Sequence, residues 1–214
     1  MNFFRFIIFC IPFVIYNCSQ ADIWTKKTDM PTPRMGHTTC VVDGKIYAIG
    51  GYQKANAPGL ATVEMYDPTI DTWTTKAPMP TGRRQHAVSV INGKIYVIGG
   101  YTNFRQPGLS VVEEYDPVSD SWTKKADMPT KRYSTANCVV NDKIYLIGGA
   151  DGYDALPVVE VYNPKRDTWV SKTNMPNPRV ASASMVDGKI YYIGGALTIK
   201  PPHPSVSTVE EYIP

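Results

Sequence analysis

One nine-residue phrase returns four times along this chain of 214 residues: "DGKIYAIGG" at 43–51, "NGKIYVIGG" at 92–100, "NDKIYLIGG" at 141–149 and "DGKIYYIGG" at 187–195. The spacing is 46 to 49 residues, and the phase is kept by far more than the phrase itself. Trp24, Trp73, Trp122 and Trp169 are each followed six residues on by Met-Pro, and four residues after each methionine stands an arginine. From tryptophan to second glycine is 27 residues in three copies and 26 in the fourth. Val-Glu-x-Tyr then ends at Tyr66, Tyr115, Tyr162 and Tyr212, and seven residues past each of the first three tyrosines lies the next tryptophan. A period of this length with so many fixed offsets defines a repeat architecture, in which neighbouring units bury each other's apolar faces.

Each copy predicts four short strands. In the second these are "HAVSVI", "KIYVIGG", "SVVEEYD" and "SWTKKA". Asp-Gly or Asn-Gly between the first two predicts a two-residue hairpin with positive φ at both central residues. Asn141-Asp142 departs from that chemistry and is expected to form a different or looser turn. The inner strands are apolar on nearly every residue, so both faces are expected to be covered, as in small sheets stacked around an axis. The double glycine is expected where a strand ends against close backbone or rings. With 18 prolines and 16 glycines, the composition favours turns and short strands over long helices.

An apolar strand closed by Gly-Gly, followed by a spaced Tyr and Trp, resembles the kelch repeat, one blade of a β-propeller. The resemblance covers residues 22–214 and implies an all-β propeller of four kelch-type blades, fewer than the five to seven usual in that family. The last repeat stops after its third strand at "VEEYIP", while "DIWTK" at 22–26 reads as an orphan fourth strand. The expectation is a closed ring in which the N-terminal strand completes the fourth blade and removes free edges. A fragment, or half of a ring completed by a second chain, is the alternative; a monomer is the simpler assembly.

Residues 1–21 differ in kind. One arginine, Arg5, precedes an eleven-residue apolar run at 6–16, too short to span about 30 Å of hydrocarbon comfortably. With Ser19 and Ala21 before a cut, the segment reads as a secretory signal; an uncleaved anchor is the competing reading, and only then would the chain meet a membrane. The expected location is secreted, periplasmic or cell-surface. Cys10 and Cys18 lie in this leader, and Cys40 and Cys138 fall on non-adjacent repeats, too far apart to be expected to bond. The net charge is +3 and like charges form no run, so nucleic acid is not expected as a partner.

The sharpest candidate site residues are Arg34, Arg83, Arg132 and Arg179, each entering an innermost strand after Met-Pro. Symmetry would set four cations around one mouth of the channel, where planar guanidinium groups suit carboxylate or phosphate. The resemblance points the same way, since arginines at this loop position of kelch substrate receptors contact acidic peptides. Their competing role is structural: each pairs with a recurring glutamate, Glu64, Glu113, Glu160 or Glu210, to brace adjacent blades. His37 and His86 share one position in successive repeats and could relay a proton. They lack a third metal ligand, and no cofactor is expected. His203, in the Pro-rich loop "KPPHPS", is expected to be solvated.

The repeats disagree in the loops after each Gly-Gly: "YQKANAPGLA", "YTNFRQPGLS", "ADGYDALP" and "ALTIKPPHPSVS". Rigid scaffolds carry recognition on such loops. Tyr52, Tyr101, Phe104, Arg105 and Tyr153 supply the aromatic and arginine anchors that interfaces favour. The leading functional expectation is therefore a non-catalytic binding propeller for a protein or glycan ligand, including an acidic one. An exported sugar epimerase of the sialic-acid epimerase type is the enzymatic alternative that the resemblance allows. A copper oxidase lacks a place for its ligands, and no catalytic residue is assigned.

Overall fold

Four tight hairpins set the architecture. In the computed structural model, which describes residues 22–103, 106–152 and 154–214, the central residues of all four turns have positive φ. Asp43 and Gly44 stand at 48° and 71°, Asn92 and Gly93 at 51° and 73°, and Asp187 and Gly188 at 50° and 76°. Asn141 and Asp142, expected to differ, adopt 49° and 55°, so the third hairpin makes the same turn. The correction has a simple cause: Asp, like Asn, tolerates the left-handed region through its short polar side chain.

The strands these turns join are β1 (Thr38–Val42), β2 (Lys45–Ile49), β3 (Val63–Asp67) and β4 (Thr72–Lys76), hydrogen-bonded in that order. The second sheet repeats the pattern with β5 (Ala87–Ile91), β6 (Lys94–Ile98), β7 (Val112–Asp116) and β8 (Ser121–Lys124). The third runs β9 (Ala136–Val140), β10 (Lys143–Ile147), β13 (Val159–Asn163) and β14 (Thr168–Ser171). A small hairpin, β11 (Ala150–Asp151) with β12 (Asp154–Ala155), rises between β10 and β13. The fourth sheet holds β15 (Val180–Val186), β16 (Lys189–Ala196) and β17 (Val209–Tyr212). All pairings within the sheets are antiparallel, and β1, β5, β9 and β15 are neighbours in turn. The chain is an all-β, four-bladed propeller arrangement.

The core lies between blades. Ile49 and Val63 of the first blade pack with Val88, Ile95 and Tyr115 of the second, and Ile98 and Val112 pack with Ile144, Leu146 and Tyr162 of the third. At the rim the second and third blades also grip the connection leaving the blade before them. The Trp122 indole donates to the Ala77 carbonyl at 2.9 Å, while the Ala77 N–H donates to Asp120 at 2.9 Å. Asp120 further accepts from the Tyr115 hydroxyl at 2.5 Å. The same clasp joins Tyr162, Asp167 and Trp169 to Ala126, and Tyr66, Asp71 and Trp73 to Thr28.

The expected closure of the fourth blade by the N-terminal strand is not what the fold contains. Residues 22–26 form no strand, the fourth sheet has three strands among the described residues, and Trp24 is fully exposed. A strand needs a partner edge, and the segment lies beside none. Positions Ile193 and Val209 are 48% and 58% exposed, whereas their equivalents Ile49 and Val63 are both at 0%.

Candidate functional site

The alternation of β1 through β4 carries the Gly-Gly loops and the Met-Pro connections to the same end of every sheet. Backbone bridges tie these segments together: Met35 with Tyr52, Arg84 with Tyr101, and Tyr133 with Ala150. The double glycine is what lets the blades meet there. A Cβ on Gly50, at φ +64°, would stand 2.5 Å from the Arg83 carbonyl oxygen of the next blade.

The four recurring arginines lie beneath this face, inside the protein. Side chains of Arg34, Arg83, Arg132 and Arg179 are wholly covered and paired with Glu64, Glu113, Glu160 and Glu210. Arg83 shows the full arrangement. Its guanidinium donates to Glu113 at 2.6 Å and to the carbonyls of Gly99, Val111 and Thr81 at 3.1, 2.9 and 3.1 Å. Its backbone faces the preceding blade, donating to Leu60 and accepting from Gly51. One residue thus joins two blades, the bracing arrangement. Burial draws the Arg83 and Arg132 guanidinium groups below their ordinary range against the pull of Glu113 and Glu160, Arg132 to about 10, still a cation at neutral pH.

His37 is half-buried and His86 buried, and neither meets a metal-binding cluster among the described residues. Burial first, then the charges of Arg83 and His37, push the His86 imidazole down to about 3; burial and then Arg34 lower His37. Both ring nitrogens of His86 are buried without a hydrogen-bond partner among the described residues. His86 is therefore a neutral ring in the blade interface, against Gly50 and Met79.

Beneath the variable loops lies a row of rings around a buried cation that the repeat pattern did not single out: Arg84, Tyr101 and Tyr133 are buried and Tyr52 is half-buried. Arg84 inserts between Tyr52 and Tyr101, its guanidinium carbon 4.1 and 4.7 Å from the two ring centroids, and donates to the Ala55 carbonyl at 3.0 Å. Tyr101 meets Tyr133 edge-on at 4.8 Å. Burial holds the Tyr101 phenol above its ordinary value although Arg84 pulls the other way. Nearer the axis, Gln85 donates its N–H to Gly36 and accepts from the Ser134 N–H, both distances about those of ordinary amide bonds at 3.1 and 2.9 Å. Gln85 and Ser134 hold φ of 51° and 50° to do so. The signal for Arg84 was present: the residue after each bracing arginine reads Met35, Arg84, Tyr133 and Val180, a position where the copies disagree. Of the other expected anchors, Tyr52 and Tyr101 come together; Phe104, Arg105, Tyr153 and the leader at 1–21 lie outside the described residues.

Blades of short antiparallel strands around an axis, braced inside and carrying variable loops on one face, define a propeller of the kind that serves as a binding scaffold. The sequence matches the family model "KLHDC2/KLHL20/DRC7 Kelch-repeats domain" over residues 13–128 and 74–201. The chain belongs to the kelch-repeat family. It is 38% identical to beta-scruin of Limulus polyphemus over 48 residues, which is 22% of this chain and 5% of that protein. Its fold is similar to the solved structure titled "Structure of YjhT", with a TM-score of 0.73 and 20% identity over 81% of this chain and 63% of the other.

Proposed function

We propose that the protein is a non-catalytic propeller that binds a protein or glycan through the loops of one face. The observation that carries this reading is that the loops of this face differ from blade to blade while the buried Arg84 and Tyr101 hold the half-buried Tyr52 at their base. Stacked rings with a guanidinium held between them stiffen the base of the loops, so the exposed loop side chains lose less freedom on binding. The exposed Lys54, Lys131 and Lys200 on the same loops suit an acidic ligand. An epimerase would need basic groups within reach of a substrate, and the four arginines at 0% side-chain exposure favour the binding reading over it. Export through residues 1–21 belongs to the same proposal, with a mature N-terminus at Asp22 as its mark.

The test is a screen of the full chain on glycan and acidic-peptide arrays, followed by titration of each hit with Tyr52→Ala and Lys54→Glu. Both substitutions should weaken binding at least about tenfold, the loss expected for an aromatic anchor and its charged neighbour. Thr74→Ala, on the exposed outer strand β4, should leave it unchanged. Binding that ignores both loop substitutions, or turnover of a sialic acid in place of binding, overturns the reading.

A further inference from the structure

A second concave site lies at the end of the propeller opposite the variable loops. A cavity of about 410 Å³ opens between the second and third blades, with Asn92, Lys94, Glu114, Lys125, Asp142 and Lys165 in its lining. Tight turns build its mouth: Asn92 sits in the β5–β6 hairpin, Asp142 in the β9–β10 hairpin and Lys165 between β13 and β14. Its size falls within the span of about 300–1,000 Å³ usual for sites that enclose small molecules.

One covered carboxylate fixes two of the cations. Glu114 lies on β7 with 11% of its side chain exposed, and its two oxygens meet Lys94 at 3.1 Å and Lys125 at 3.7 Å. Lys94 also stands 3.5 Å from Asp116. Burial raises the Glu114 carboxyl, but Tyr96, Lys94 and Lys125 together hold it below its ordinary range, so it stays charged and keeps both lysines in place. An ammonium group has three donors, and these contacts do not exhaust them. The third blade adds Lys165, exposed and outside any ion pair among the described residues. The cleft is not a property of the repeat. Between the first and second blades Met65 stands where Glu114 would and Val118 where Lys165 would, and the third blade carries Val161 at the position of Glu114. By sequence, the clamped lysines and the extra cation come together only between the second and third blades.

We infer that this cleft binds a small hydroxylated molecule through a phosphate or sulfate ester, the class to which sugar esters belong. Ammonium groups that arrive from two blades as separate point charges suit a tetrahedral oxyanion, whereas a planar carboxylate is better matched by the fork of an arginine. Asn92 and Asp142 supply partners for hydroxyl groups. Glu114 and Asp142 also disfavour a bare polyanion and favour a ligand whose remainder donates hydrogen bonds. The site shares no residue with the loop face, so it stands or falls apart from recognition there.

The deciding experiment titrates the full chain by calorimetry with glucose-6-phosphate and glucose-6-sulfate, and with glucose, glucuronate and inorganic phosphate for comparison. At least one ester should bind saturably and more weakly as salt is raised, and the three comparison compounds should bind at least about tenfold less tightly. Which ester binds better tells phosphate from sulfate. Lys165→Val, which installs the residue that the second blade carries as Val118, should weaken the ester at least about tenfold. Lys165 is exposed, so its replacement should leave the urea midpoint unchanged. Lys45→Gln, at the position of Lys94 on the first blade and paired there with Asp67, should leave binding unchanged. Failure of both esters to bind, equal affinity for any comparison compound, insensitivity to Lys165→Val, or an equal loss in Lys45→Gln each overturns the inference.

Discussion

Arg83 and Glu113 meet at 2.6 Å with 0% and 3% of their side chains exposed, one on the connection entering the second blade and the other on its third strand. Taking either partner away leaves a charge without its counter-ion in a dry interface. Arg83→Ala should therefore destabilise the chain by about 3–5 kcal/mol, read as a drop in the urea midpoint. Replacing the pair together, with Arg83→Met and Glu113→Leu, should recover much of that loss. A single substitution costing under about 0.5 kcal/mol, the range of ordinary surface changes, would contradict the brace.

His86 makes stability depend on pH. Its folded value is depressed to about 3 from the ordinary 6.5, so the unfolded chain binds its proton first. The contribution is fully present above about pH 6.5 and is lost as pH falls toward 3, by up to about 1.4 kcal/mol per unit. Urea midpoints at pH 7.5, 6.0 and 5.0 should fall more steeply in the native sequence than in His86→Thr. The variant adopts the residue that the third repeat carries as Thr135.

Asp120 accepts from two directions, the Tyr115 hydroxyl and the Ala77 N–H, and each holds its carboxyl below the usual range. Asp120→Ala should cost about 1–3 kcal/mol through the unsatisfied donors it leaves. Asp120→Asn should cost less, because the amide oxygen still accepts and Asn tolerates the φ of 49° found there. Thermal melts of the two variants separate these contributions.

Glycine is required for different reasons in turn and interface. At Gly44, φ is +71° and a Cβ meets nothing within 4 Å, so Gly44→Ala should cost only the backbone term of about 1–2 kcal/mol. At Gly50 the same substitution adds a 2.5 Å collision with the Arg83 carbonyl and a 2.8 Å one with His86. Gly50→Ala should lie lower in urea midpoint than Gly44→Ala; equal midpoints would mean that the blades yield at this contact.

Much of this architecture could be read from the chain because its rules are local and repeated. Asp-Gly and Asn-Gly specify a hairpin wherever they stand, and an arginine and a glutamate recurring in every copy imply a shared internal partner. Arg84 was illegible for the opposite reason. Its place between Tyr52 and Tyr101 comes from a bridge between segments seventeen residues apart, from Arg84 to Tyr101, on a position where the copies share no residue type. Trp24 misled because its phase matches a fourth strand, while strand formation depends on an edge that phase alone does not bring near. The variable loops were legible as a set, but the stack that the tyrosines build beneath them around Arg84 was not.

The rim clasp gives the fold a direction. Since Asp120 and Trp122 seize Ala77, and Asp167 and Trp169 seize Ala126, the second and third blades each stabilise their predecessor's exit as well as themselves. Such a molecule behaves as a linear series of nearest-neighbour couplings, with stability summed over units and junctions. Amide exchange should therefore be slowed at Ala77 and Ala126, whose N–H groups the clasps of the second and third blades hold, and Asp120→Ala should speed it at Ala77.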